Sequence, residues 1–312
     1  MSGPAPPPLP PRPDLAPEDR SVAWAVTPPE RPGVIRRALE IWRRTLRVAV
    51  PITALLQGIP GVLERVLTPR NTGPNGIWTW LHTGHFPRYL PAPQATPSPL
   101  VLPISLVATI VLVPLLYVAL LRVMLGSTIG EPTDARRVLA CGGRSLGRAI
   151  VVGLCEGLLL MVAGVPLGVA FVILVNQHLW KLGFVVLVVG LVPVVAALSL
   201  ALSALLVEGR SGFSATGRSW RLAWRAPRAV ILPVGAVLLL TSPIAFLPGF
   251  VFTRLMSAGG AELLVEGLAG LVIGAVFTPL TGAVITSAYL EARTRGGDGV
   301  DPGVLASTLR PL

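Results

Sequence analysis

The stretch FSATGRSWRLAWRAPRAVILPVGAVLLLTSPIAFLPGFVFT, residues 213–253, joins an arginine-rich segment to an uncharged apolar run. In its first part, Phe213–Arg228, apolar residues recur at three- and four-residue spacing with arginines between them, which indicates an amphipathic helix. The run that follows, Ala229–Thr253, is longer than the roughly 20 apolar residues that a helix needs to cross a bilayer. The stretch therefore predicts a helix at the membrane surface that leads into a transmembrane helix.

The same pattern occurs twice earlier, where Val34–Arg47 and Thr133–Arg148 each run into apolar sequence. Each amphipathic segment precedes two apolar runs. Backbone N–H and C=O groups in lipid have no water to bind and must form hydrogen bonds within the protein, so the runs are predicted to be helices. The six predicted transmembrane helices are Val48–Leu63, Leu100–Leu121, Ala149–Val175, Leu182–Val207, Ala229–Thr253 and Gly267–Leu290. The predicted fold is an all-α polytopic membrane protein with three cytoplasmic interfacial amphipathic helices. The hypothesis of a threefold helix-plus-hairpin repeat follows from the same pattern.

The composition also favours a membrane protein, because 52% of the residues are hydrophobic and 13% are charged, against about 25% charged in soluble domains. A net charge of +11 could indicate nucleic-acid binding. The arginines flank the apolar runs, however, so the positive-inside rule explains the charge better, and no nucleic-acid partner is expected. With both termini in the cytoplasm, 21 of the 26 basic residues fall on that side. The exceptions are Arg65, Arg70, Arg88, Lys181 and Arg254.

The chain divides into a membrane domain and two tails. Residues 1–32 are rich in proline and are predicted to be a disordered cytoplasmic tail. Residues 33–295 form the six-helix membrane domain, and residues 296–312 form a short cytoplasmic C-terminal tail. The three histidines, His82, His85 and His178, all fall on the predicted outer side, and no catalytic set is present. His82 and His85 form an HxxH pair, a spacing that can hold a metal on a helix, but they lie in a predicted loop without a nearby carboxylate or cysteine, which favours an ordinary loop. No enzyme activity, cofactor or metal is therefore expected.

The arginine faces of the three amphipathic segments are the candidate surface for anionic lipid or for a cytoplasmic protein partner, since each arginine near anionic headgroups contributes about 1 kcal/mol. The alternative is that these arginines only fix the topology and extend toward the headgroups. The candidate residues are Arg36, Arg37, Arg43, Arg44, Arg47, Arg136, Arg137, Arg144, Arg218, Arg221 and Arg225.

Glu156 is the candidate functional residue inside the membrane, because it is the one ionisable residue well within a predicted span. It could carry a proton or pair with an arginine of a neighbouring helix; the alternative is a structural role near the interface. Glu208 falls at a predicted helix end, where a carboxylate costs little. Every predicted span also contains proline, and broken helices can line a transport site, although proline is common in membrane helices.

Two motifs resemble a known family. In Leu205–Leu232, an acidic residue and glycine, Glu208 and Gly209, precede a short helix that contains the RSW sequence Arg218–Trp220. In Phe277–Asp301 the last span ends in the run YLEAR, residues 289–293. These motifs resemble the membrane domain of bacterial glycerophosphoryl diester phosphodiesterases. The resemblance covers about residues 34–301 and implies a membrane module in a bacterial plasma membrane. It does not imply the phosphodiesterase activity, which belongs to a separate soluble barrel with catalytic histidines and metal-binding carboxylates.

The resulting functional prediction is a non-catalytic scaffold or anchor of the plasma membrane that contacts anionic lipid or a cytoplasmic partner. The alternative is a transporter or permease-like subunit that uses its proline-kinked helices and Glu156.

Overall fold

The computed structural model of the chain describes residues 33–62, 101–128, 134–255 and 260–295. Within these ranges the protein is helical and contains no strand, which confirms the all-α prediction. The predicted N-terminal and C-terminal tails, and the predicted outer loop with His82 and His85, lie outside the described residues.

The helices are named in chain order. α1 is Val34–Val62 and contains a π-helical turn at Ala54–Gly58; α2 covers residues 101–128 and contains a π-helical turn at Ala108–Leu112. They are followed by α3 (Ala135–Asn176), α4 (Trp180–Leu198), α5 (Ala201–Glu208), α6 (Gly212–Arg225), α7 (Pro227–Leu255) and α8 (Gly260–Arg295). Each π-helical turn lies between two prolines of its helix, which remove backbone donors from the hydrogen-bond ladder.

The three amphipathic segments differ in how they join the apolar runs. The first two are the opening turns of α1 and α3, without a break after Arg47 or Arg148. The prediction of separate helices there differs from the structure, because no proline directly follows Arg47 or Arg148 and Gly147, beside Arg148, stays helical. Only the third segment is a helix of its own, α6, and the chain bends by 105° before Pro227. Ala226 has φ −130° and ψ 59°, as expected for a residue that a following proline keeps out of the α conformation.

The long described helices form a ring in which each helix packs against its neighbour in sequence, in the order α1, α2, α3, α4, α7 and α8, with α8 closing against α1. α6 packs across one end of this ring, where it contacts α3, α4 and α5. Glycines permit close packing at three of the contacts: Gly58 meets Leu271, Gly235 meets Val192, and Gly282 meets Met124. The two helices of each predicted hairpin are neighbours in the ring; the threefold repeat stays a prediction.

The core lies in the half of the ring near α6. Its largest fully buried side chains include Tyr289 of α8 and Leu120 and Met124 of α2. The far halves of α3 and α4 expose apolar side chains such as Met161 and Val189, 65% and 66% exposed. A soluble monomer rarely exposes a continuous apolar surface of this kind, so this half of the ring is suited to lipid.

Five described helices are long and apolar enough to cross a membrane, and the bent pair of α6 and α7 raises the number to six if it counts as one span. The five are Val34–Val62, Ser105–Thr128, Gly142–Asn176, Trp180–Glu208 and Leu268–Thr294. The apolar helices indicate a membrane-embedded protein. The exact number of spans stays a prediction.

Candidate functional site

Three contacts define one end of the ring, called here the basic end. Arg37 pairs with Glu291, which brings the start of α1 to the end of α8. Arg148 donates to the carbonyl of Gly209, which brings the first part of α3 to the end of α5. Arg293 pairs with Glu208, which joins the ends of α8 and α5. The three amphipathic segments therefore meet at the basic end, although up to about 180 residues separate them in the sequence.

Glu208, the last residue of α5, is the centre of an ion-pair cluster at this end. Arg218 of α6 donates from Nε to both carboxylate oxygens, at 3.1 and 3.0 Å. Arg210 donates to Oε2 at 3.0 Å, Tyr289 donates its hydroxyl to Oε1 at 3.1 Å, and Arg293 pairs with Oε1. The side chains of Glu208, Arg218 and Arg293 are only 11–12% exposed. These five residues, the Glu208 cluster, contain three arginines and one carboxylate, so they carry excess positive charge.

The backbone around Glu208 explains why the cluster forms. Gly209 has φ +67°, the left-handed conformation that glycine adopts most readily, and its N–H donates to Leu205 O at 3.1 Å. This cap ends α5 and turns the chain back into α6. Ser219 of α6, fully buried, donates to Leu198 O at 3.1 Å and also to Ala197 O. It thereby satisfies carbonyls that the interruption between α4 and α5 leaves without helical partners.

Arg37 and Glu291 form a second ion pair at the basic end, at 3.3 Å, with side chains that are 4% and 5% exposed. Glu291 lies between Tyr289 and Arg293 in sequence. One turn of α8 therefore holds α5 and α6 through the Glu208 cluster and holds α1 through Arg37. Arg37 and Arg218 are both candidate surface residues from the sequence, and the structure places both inside ion pairs rather than on an open surface.

The other candidate arginines are exposed at the basic end. Arg44 pairs with Glu40 one helical turn away at 2.8 Å, and both side chains are more than a third exposed. At α3, the side chain of Asp134 caps the helix by accepting from the backbone N–H of Arg136 at 3.3 Å. The exposed candidates are Arg36, Arg43, Arg44 and Arg47 of α1, Arg136, Arg137 and Arg144 of α3, and Arg221 and Arg225 of α6.

α6 presents apolar side chains on two faces. Ala215, Leu222 and Ala223 are fully buried against the ring. Phe213, Trp220 and Trp224 lie on another face and are 61%, 39% and 51% exposed, with the two tryptophan rings 5.7 Å apart. Exposed tryptophans beside arginines are typical of a helix at the interface between headgroups and acyl chains.

Glu156 lies on α3, two turns beyond Arg148. Its Oε1 is buried and has no hydrogen-bond partner among the described residues. No ion pair of Glu156 with an arginine is found in that part of the chain. The oxygens of Ser203 in α5 and Ser287 in α8 are also buried without a partner there. The ring therefore contains buried polar oxygens that hydrogen bonding within the described residues does not explain.

No group of three or more histidine, cysteine or acidic side chains that could hold a metal is present in residues 33–62, 101–128, 134–255 and 260–295. No protein-family model matches the chain, and neither does any curated protein or solved structure with which it was compared. The resemblance to the phosphodiesterase membrane domain therefore stays a prediction. The structure does bring residues of the two motifs together, because Glu208 pairs with Arg218 and also contacts Tyr289 and Arg293.

The acidic partners of these ion pairs, Glu208 and Glu291, are not candidate site residues from the sequence pattern. Glu208 is expected to cost little at a helix end, yet it binds three arginines and a tyrosine. One signal was available in the sequence, because Glu208 and the run 289–293 belong to the two motifs of the resemblance. The contact between Glu208 and Tyr289 could not be read from the sequence, since the two residues are 81 positions apart.

Proposed function

We propose that the protein is a non-catalytic membrane scaffold or anchor whose basic end contacts anionic phospholipid headgroups. One observation carries this proposal: exposed arginines from three distant segments, on α1, α3 and α6, share one end of the ring. Ion pairs within the protein account for Arg37 and Arg218, so the proposed contact with headgroups relies on exposed arginines such as Arg36, Arg43 and Arg136.

The positive-inside rule supports a cytoplasmic basic end, since arginines are retained on the cytoplasmic side of a membrane. The cytoplasmic leaflet also carries the anionic lipids that attract such residues, and about 1 kcal/mol for each arginine corresponds to a roughly fivefold effect on affinity. The protein would then be a multi-spanning protein of a bacterial plasma membrane with both termini in the cytoplasm.

The test compares the lipids retained by the full chain after reconstitution into an equimolar mixture of anionic and zwitterionic phospholipids. The variant Arg36→Gln, Arg43→Gln, Arg136→Gln neutralises exposed arginines on α1 and α3. Lys181→Gln, at the exposed start of α4, is the matched control at the opposite end of the ring. We expect the triple variant to lose most of the enrichment in anionic lipid and the control to keep it. Unchanged enrichment in the triple variant would contradict the proposal.

Orientation must be followed in the same samples, because neutralised arginines could also alter topology. Gln177→Cys, in the exposed turn between α3 and α4, reports orientation through labelling by a membrane-impermeant thiol reagent on a cysteine-free background. If the triple variant changes orientation without changing lipid enrichment, the arginines only fix topology. A soluble protein that co-purifies with the wild type in a fixed ratio, and not with the triple variant, would instead favour a cytoplasmic partner.

A second candidate function, transport, is favoured by the buried, unpartnered Oε1 of Glu156. A carboxylate in a membrane helix is costly and is retained mainly for function. Proton flux into proteoliposomes, followed with an enclosed pH-sensitive dye, should then fall to the level of empty vesicles with Glu156→Gln. Glu40→Gln, which changes an exposed carboxylate, is the control, and equal flux in both variants argues against transport.

A further inference from the structure

An apolar groove opens beside the basic end, where α3, α4 and α6 meet. Its volume is about 390 Å³. α3 contributes Leu159 and Val162, α4 contributes Val194 and Leu198, and α6 contributes Phe213 and Trp220. Val162 and Phe213 are 64% and 61% exposed, so the groove is open at the side of the ring.

The groove offers an occupant almost no polar contacts. The side-chain hydroxyl that lines it belongs to Thr216, and this hydroxyl already donates to Gly212 O at 3.0 Å. A polar ligand would lose hydrogen bonds to water there without replacing them. An alkyl chain makes no hydrogen bonds to water, so it would lose none there, and burying its methylene groups would favour binding.

Charge adjoins the groove on α6. At about 100° per residue, Phe213, Gly217 and Trp220 share one side of this helix, and Arg221 and Arg225 lie along the edge of that side. Both arginines are exposed. The remaining side packs against the ring through Ser219 and Leu222. An occupant of the groove therefore has cationic groups beside it along this edge of α6.

We propose that the groove holds one acyl chain of a membrane phospholipid whose phosphate contacts Arg221. The inference rests on the proposed contact between the basic end and anionic headgroups, and it adds a specific site to that general attraction. An amphiphile fits both parts of the site, because the alkyl chain matches the apolar lining and the anionic phosphate matches the arginine edge. Much of α3 and all of α4 lie within two of the membrane-compatible spans, Gly142–Asn176 and Trp180–Glu208, so the groove opens between helices whose composition is suited to acyl chains.

Gly217 allows a direct test. It lines the groove, and a Cβ added there has no heavy atom within 4 Å, so Gly217→Leu adds a side chain at the groove with no clash at Cβ. Gly147→Leu is the matched control, because Gly147 is exposed, helical and equally free of neighbours, and it does not line the groove. Leucine favours both helices over glycine to a similar extent.

The experiment titrates the delipidated full chain with dioleoylphosphatidylglycerol and counts bound lipids by native mass spectrometry. The wild type and Gly147→Leu should show one tight lipid. Gly217→Leu should bind it about tenfold more weakly, as expected if roughly two methylene groups lose their burial. Ala163→Phe, also in the groove lining, should repeat this loss. Arg221→Gln should weaken the anionic lipid and leave uncharged dioleoylglycerol unchanged. Wild-type binding by Gly217→Leu and Ala163→Phe would overturn the inference.

The outcomes distinguish a failure of the groove inference from a failure of the proposed function. If both groove variants bind lipid normally while the triple arginine variant loses its lipid preference, the groove inference fails and the general contact stands. If the groove variants lose the tight lipid while the triple variant keeps its preference, the groove stands and the general contact fails.

Discussion

Replacing Glu208 with glutamine should destabilise the folded protein by about 3 kcal/mol. The substitution keeps the size of the side chain and an oxygen that can accept from Tyr289, but it removes the charge that Arg218 and Arg293 face. Both arginine side chains are 12% exposed and Glu208 is 11% exposed. Removing one partner of a buried pair costs about 3–5 kcal/mol, because the other charge stays buried without compensation. We take the lower end of this range, about 3 kcal/mol, because the side chains of the cluster keep 11–12% of their surface exposed.

Arg210 adds little to this value. Its side chain is 41% exposed, and pairs of that kind contribute about 0–1 kcal/mol. The matched control is Glu40→Gln, which removes an exposed pair one helical turn apart, with side chains 44% and 37% exposed. We expect that change to cost about 0.3–0.5 kcal/mol.

The assay is unfolding of the full chain in mixed micelles at increasing mole fraction of sodium dodecyl sulfate, followed by tryptophan fluorescence. Two of the seven tryptophans, Trp220 and Trp224, lie on α6, whose position depends on the cluster, so part of the signal reports its loss. A double-mutant cycle of Glu208→Gln and Arg218→Gln should give a coupling energy of about 1–3 kcal/mol. If Glu208→Gln unfolds within about 0.5 kcal/mol of Glu40→Gln, the cluster does not stabilise the basic end and the reasoning is wrong.

The same titration tests three further substitutions. Arg37→Gln should cost about 3 kcal/mol because it removes a buried charge that pairs with the buried carboxylate of Glu291. Arg36→Gln, an exposed neighbour, should change stability by less than about 0.5 kcal/mol, and equal effects would contradict the burial of the pair. Gly209→Ala should cost about 1–2 kcal/mol because φ is +67° there, and an unchanged midpoint would show that the turn relaxes. Ser219→Ala should cost about 1–3 kcal/mol because the carbonyls of Ala197 and Leu198, at the end of α4, lose their donor, and a loss below that range would mean that water replaces the hydroxyl.

Much of the fold could be predicted from hydropathy alone. Long uncharged runs can bury their backbone polar groups in lipid only as helices, so the all-α class and the approximate helix positions follow from the sequence. The sequence predicts less well where an amphipathic surface segment ends and a transmembrane helix begins. Proline marks the bend before α7, but nothing in the pattern of arginines distinguishes a separate helix from the opening turns of α1 and α3.

The roles of individual arginines depend on contacts that a local pattern does not contain. Arg36 and Arg37 are adjacent in sequence, yet one is exposed and the other is 4% exposed and paired with a residue 254 positions away. Helical periodicity assigns Arg37 to the polar face of its segment. The closing of α8 against α1 turns part of that face inward.

The sequence by itself determined that this chain is helical, membrane-compatible and basic at the ends of its apolar runs, because these properties depend on composition and spacing along a single helix. Only the tertiary structure decided which charged side chains form buried ion pairs within the protein and which remain exposed. The ring brings the carboxylates of Glu208 and Glu291 to arginines from other helices, and a nearly buried charge is stable only beside such a partner. The groove between α3, α4 and α6 depends on the same assembly, since no one of these helices forms it alone.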